Sequence, residues 1–159
     1  MSRHSFRPQL EELGGRVLPS ANPAISISDV ALAEGHSGQT AFVFTVSLSE
    51  ASSKEVSLKY ATANGTARKG DGDYIGAKGT LKFAPGETTK TITVLVNGDN
   101  KVESDEQFFV NLSQARNATI ADARGIGTVL NDDPLYGGGG CSIYLPCTDP
   151  DPNPYGDGY

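Results

Sequence analysis

Between Ala24 and Asp133, apolar side chains recur at every second position in short runs separated by turn residues. Period two marks strands buried on one face, and it excludes the three-to-four spacing of amphipathic helices. Ile25 and Ile27 open a first strand, which continues irregularly past Val30 to Ala33. Phe42, Phe44, Val46 and Leu48 form the inward face of a second, and Val56, Leu58 and Tyr60 that of a third within Glu55–Ala63. Gly79–Phe83 is a short fourth strand, ended by the type II turn signal Pro85-Gly86. Thr88–Val96, Gln107–Leu112 and Gly125–Leu130 complete the set, the first of these rich in the β-branched residues that suit a pleated surface. About seven strands in roughly 110 residues, with no helical pattern among them, imply an all-β fold. The expected architecture is a seven-stranded antiparallel immunoglobulin-like β-sandwich. It lacks the Cys…Trp…Cys signature of antibody domains, since the chain has no tryptophan.

The 159 residues carry 13 Lys/Arg against 19 Asp/Glu, a formal net charge of −6. That balance excludes nucleic acid as a partner, because phosphate binding needs clustered cations. No apolar run reaches the roughly 20 residues of a membrane helix, so no transmembrane segment is expected. Both cysteines, Cys141 and Cys147, lie near the C-terminus. They form either a small disulfide ring in an oxidising compartment or two free thiols. Neither a CxxC pair nor a Cys/His cluster is present, so the patterns of structural zinc sites are missing. Residues 1–23 have a basic start and a short helical pattern at Leu10, Leu13, Val17 and Leu18, without the apolar core of a signal peptide. Residues 134–159 are dominated by Gly, Pro, Asp and Tyr and read as a disordered tail.

The acidic residues are unevenly placed. Asp99, Glu103, Asp105 and Glu106 fall within eight residues between two strands. Glu34, Asp73 and the pair Asp132–Asp133 also stand at strand ends or in loops. Crowded negative charge costs free energy unless water, salt or a cation screens it. In a sandwich, alternate strand ends share a pole, so the four segments can converge. Calcium takes six to eight oxygens, often from carboxylates and carbonyls. Glu34, Asp73, Asp99, Glu103, Glu106, Asp132 and Asp133 supply enough carboxylates for such a site, although no EF-hand loop is present. The competing reading is that these acids are solvated loop residues and turn formers.

An enzyme is not expected. The histidines are His4, near the N-terminus, and His36, in a glycine loop and read as solvated. Neither pairs in sequence with a nucleophile. The rival to a calcium-binding module is a metal-independent structural or adhesion module, with exposed edge strands open to a protein partner or to self-association.

Several motifs together resemble the Calx-beta domain family over residues 24–133. They are Ala33-Glu34-Gly35, Tyr60–Ala67, Gly72-Asp73-Tyr74, Gly79–Thr88, Lys90–Val94, Gly98–Phe108 and Gly127–Asp133, in the family's order. The resemblance implies a seven-stranded sandwich, in which some members bind calcium at the loops of one end. Carried over by position, it implies ligands at Glu34, Asp73, Asp99, Glu103, Glu106, Asp132 and Asp133, with the Lys101 carbonyl as a main-chain ligand. Asp105 is set aside as structural or solvent-facing. Gly98 and Asn131 depart from the pattern, standing where calcium-binding members can carry Asp, and imply fewer ions or weaker binding. Separately, Gln9–Ala21 resembles a short N-terminal motif of bacterial exported and surface proteins, which implies a secreted or cell-surface setting.

Overall fold

The computed structural model describes residues 22–134. The first 21 residues, the Cys141–Cys147 pair and the tail from residue 135 lie outside the described residues.

Among the described residues nine strands form two sheets, where seven were expected. They are β1 (Ala24–Ile27), β2 (Val30–Ala33), β3 (Gln39–Leu48), β4 (Val56–Asn64) and β5 (Lys78–Phe83), then β6 (Thr89–Asn97), β7 (Glu106–Arg116), β8 (Thr119–Ile120) and β9 (Arg124–Leu130). One sheet has the order β6-β3-β1-β8, the other β2-β9-β7-β4-β5.

One of the extra strands comes from a division of the irregular first strand. Ile25 and Ile27 are buried against β3, but at Ser28 and Asp29 the chain crosses to the other sheet. Two hydrogen bonds with Thr45 hold the crossing, Ser28 N–H to the Thr45 carbonyl (2.9 Å) and Thr45 N–H to Ser28 Oγ (2.9 Å). The Asp29 carboxylate accepts from the Ile126 N–H at 2.7 Å. Beyond it, β2 runs parallel to β9, from Val30 opposite Gly127 to Ala33 opposite Leu130. As an edge strand with Leu32 exposed, β2 has no buried face to impose alternation. The other extra strand, β8, is two residues long and runs parallel to β1. Two of the pairings are therefore parallel, so the sheets are not purely antiparallel as expected.

The inward faces are those the alternation marked. Phe42, Phe44, Val46 and Leu48 of β3 meet Ile92, Val94 and Val96 of β6, and Phe108, Val110 and Leu112 of β7 close the core from the other sheet. Phe108 is its centre. Its ring stacks on Tyr74 at 4.7 Å and meets Phe42 and Phe44 at 5.7 and 5.9 Å. Burying one such ring contributes on the order of 2–3 kcal/mol.

The core also places the loops. Tyr74 bridges to Val96, and its hydroxyl donates to Asn64 Oδ1 at 2.7 Å. That anchors the long β4–β5 connection beside the end of β6.

Candidate metal centre

The four acidic segments leave the sheets at one pole. Ala33 and Leu130, paired at the ends of β2 and β9, lead into Glu34 and into Asn131–Asp133. Gln39 faces Asn97, so the loop before β3 lies against the start of the β6–β7 loop. Asn64 pairs with Phe108, which brings the β4–β5 connection to the start of β7.

Backbone and side-chain bonds hold several of these acidic residues. Asp73 Oδ2 accepts the Arg68 N–H at 2.7 Å, and its carbonyl accepts the Asn97 N–H at 2.9 Å. Asp99 Oδ1 takes the Lys101 N–H at 2.7 Å, a local turn that curls the acidic loop. The Lys101 ammonium pairs with Glu103. Glu103 N–H donates to Asn131 Oδ1 at 3.3 Å, and Asn131 N–H donates to Asp105 Oδ1 at 3.1 Å. Asp105 is thus a structural tie between the acidic loop and the end of β9. Asn131 is the other half of that tie. Asp132 Oδ1 accepts the Gly35 N–H at 3.1 Å.

The structure gathers all seven expected carboxylates into compact groups. Glu34, Asp99 and Asp133 offer oxygens within 4.8 Å of one another, and so do Asp73, Glu103 and Glu106. Asp132 joins Asp133 and His36 in a third such group. Lys101 lies in the same loop, with only its ammonium and N–H in the contacts described above.

Two residues had no place in the expected site. His36 was read as solvated, but its Nδ1 contacts Asp133 Oδ1, although the ring stays about half exposed. The bond spans 97 positions, so local sequence carries no sign of it. A faint signal is the pair of glycines around it, Gly35 and Gly38, both at positive φ (82° and 80°). Gly98 is the second. A β-carbon there would lie 2.0 Å from the Gly35 carbonyl oxygen and 2.8 Å from that of Glu34. The glycine lets two loops of the pole touch, where a side chain would hold them apart.

The carboxylates of the pole repel one another, and burial adds to the cost of their charge. Burial, then the charges of Asp99, Asp133, Asp132 and Asp73, push the Glu34 carboxyl up to about 7. Glu106 is also raised, by burial and by the neighbouring Asp73 carboxylate. The Asp133 side chain is fully buried, and its Oδ2 has no hydrogen-bond partner among the described residues. An unpaired buried carboxylate oxygen is costly, and such groups are normally paired or coordinate metals. The all-oxygen donor set of hard, partly buried carboxylates suits a hard divalent cation such as calcium.

Fold and pole together define a two-sheet sandwich with clustered carboxylates in the loops of one end. The Calx-beta domain model matches residues 24–133, and the chain belongs to the Calx-beta family. That family is a non-catalytic one, so residues 24–133 are not an enzyme domain. The chain is 42% identical over 69 residues to sodium/calcium exchanger 2 of Rattus norvegicus, a match covering 43% of this chain and 7% of the exchanger. It is 39% identical over 84 residues to sodium/calcium exchanger 3 of Mus musculus, covering 52% and 9% respectively. The matched region therefore spans less than a tenth of these relatives. Among solved structures, the apo form of the Calx CBD1 domain superposes with a TM-score of 0.63 at 25% identity, covering 70% of this chain and 98% of that one. The calcium binding domain CBD12 of CALX1.1 gives 0.61 at 26%, covering 69% and 46%.

Proposed function

We propose that this domain is a calcium-binding, non-enzymatic module whose acidic pole is tied together by the ion. The observation that carries this reading is the buried Asp133 carboxylate, with an unpaired oxygen beside Glu34 and Asp99. Glu34, Asp99 and Asp133 hold one position, and Asp73, Glu103 and Glu106 hold another. The Lys101 carbonyl adds a main-chain ligand, and Asp132 borders the first position. The relative titled a calcium binding domain supports the same reading. Calcium supplies the positive charge that the crowded carboxylates lack. The four segments then gain a common anchor, and stability becomes linked to ion concentration. In this reading the domain serves an exported or cell-surface protein, for which the N-terminal motif is the support.

The test is calorimetry with calcium on the chelator-treated protein, paired with thermal melts. A ligand at a hundredfold excess over its Kd adds about 2.7 kcal/mol. For a domain of this size that raises Tm on the order of 10 degrees. Asp99→Asn with Glu106→Gln, one change in each group, should abolish most of the shift. No heat and no shift in the unsubstituted protein leaves only the metal-independent structural or adhesion module.

A further inference from the structure

His36 introduces a nitrogen donor into a pole otherwise made of oxygens. Calcium, a hard cation, takes oxygen ligands, whereas imidazole suits zinc, copper, iron and nickel. One imidazole nitrogen and one oxygen each from Asp132 and Asp133 lie within 4.8 Å of one another. Asp133, a member of this cluster, is fully buried, and its Oδ2 has no partner among the described residues. Asp132 is oriented by the Gly35 N–H, the kind of supporting bond that holds ligating carboxylates in place. Metal–donor bonds of about 2.0–2.2 Å imply donor separations of roughly 3.4 Å in a tetrahedral site. His36 Nδ1 and Asp133 Oδ1 already touch, closer than that, and the half-exposed His36 ring, on a loop bracketed by Gly35 and Gly38, can swing back to admit the ion between them.

We propose that His36, Asp132 and Asp133 form a separate site for a divalent transition-metal ion of the zinc class, joined to the calcium positions through Asp133. Three protein donors leave the fourth position to water, unlike the closed cysteine-rich sites whose patterns the sequence lacks. Asp133 belongs to both this group and that of Glu34 and Asp99. Filling one site therefore changes the affinity of the other, by equal factors in both directions. The site itself does not depend on the calcium reading; only this coupling does.

The experiment uses the full chain with His4→Gln, Cys141→Ser and Cys147→Ser, so that His36 is the sole imidazole and no thiol competes. Zinc is titrated by calorimetry, and cobalt(II) is followed by its visible absorption. The expected result is one ion per chain with nitrogen-containing ligation. Adding His36→Gln should weaken zinc binding by more than the roughly tenfold that even an outer-shell partner carries. The same variant should keep its calcium-induced Tm shift, which shows that the fold and the calcium positions survive. Zinc binding that is absent, or unchanged by His36→Gln, overturns the proposal. A calcium isotherm unmoved by saturating zinc overturns the coupling through Asp133. If calcium gives no response in any variant while zinc binding still falls with His36→Gln, the calcium reading fails and the zinc site stands.

Discussion

Gly98 shows how one position can be misjudged when side chains alone are counted. On residue type, it is a missing carboxylate. In the structure it is a point of contact, its N–H donating to the Gly38 carbonyl at 3.1 Å while the Gly35 carbonyl sits where a β-carbon would go. Gly98→Asp is therefore expected to push the Glu34–Gly35 turn away rather than add a ligand. Overpacking of this kind costs about 1–3 kcal/mol, and each kcal/mol lowers Tm by roughly 4–8 degrees. Calcium affinity should fall with it, since Glu34 moves. Tighter calcium binding by Gly98→Asp, measured by calorimetry, would mean that the turn yields freely and the carboxylate is useful after all. That the acidic segments would share a pole was legible because alternate strand ends of a sandwich meet. The ties among them were not. His36 to Asp133, Asn131 to Glu103 and Asp132 to Gly35 each join residues far apart in sequence, and polar loop residues carry no periodicity to reveal such pairing.

At the level of strands, legibility followed burial. The strands β3, β6 and β7 each present a buried face, and their alternation could be read directly. The strands β2 and β8 present none, being a four-residue edge and a two-residue pair, so their sequences are free of the constraint that writes the pattern. The β7–β9 pair holds another feature the pattern hides. Gly127 lies opposite Phe108, and a β-carbon on it would come within 2.4 Å of the Phe108 ring. The ring covers the bare glycine backbone and thereby reaches Tyr74, whose neighbour in sequence is Asp73. Gly127→Ala should displace the ring, with an overpacking cost again of about 1–3 kcal/mol. Because Tyr74 anchors the β4–β5 connection, calcium binding at the Asp73 group should weaken as well. A variant that melts and binds calcium as the unsubstituted protein does would show that the aromatic cluster and the pole are independent.

For the domain as a whole, the acidic pole sets a conflict between folding and charge. The unfolded chain lets its carboxylates separate into water; the folded one forces them together and raises Glu34 from an ordinary 4.5 to about 7. Between those values the folded state holds more protons than the unfolded state, so stability falls as pH rises through the window. Glu106, also raised, acts in the same direction. His36, raised chiefly by its hydrogen bond to Asp133, does so too, since its charged form favours the fold and is lost at higher pH. The chelator-treated protein should therefore melt at a higher temperature near about pH 5.5 than near about pH 8. On the proposed reading calcium should reverse the sign of the conflict, because it rewards the ionised carboxylates that folding otherwise penalises. In saturating calcium the decline with pH should flatten or invert, and calcium affinity should rise with pH as the competing proton on Glu34 is removed. Near neutrality, binding should release protons, detected as a dependence of the calorimetric heat on the ionisation enthalpy of the buffer. Glu34→Gln isolates the cause. It should remove the largest part of both the pH slope and the proton release. A metal-free Tm that is level across this range would show that the pole relaxes enough to hold its charges apart, and the linkage between protons and calcium would then have no basis.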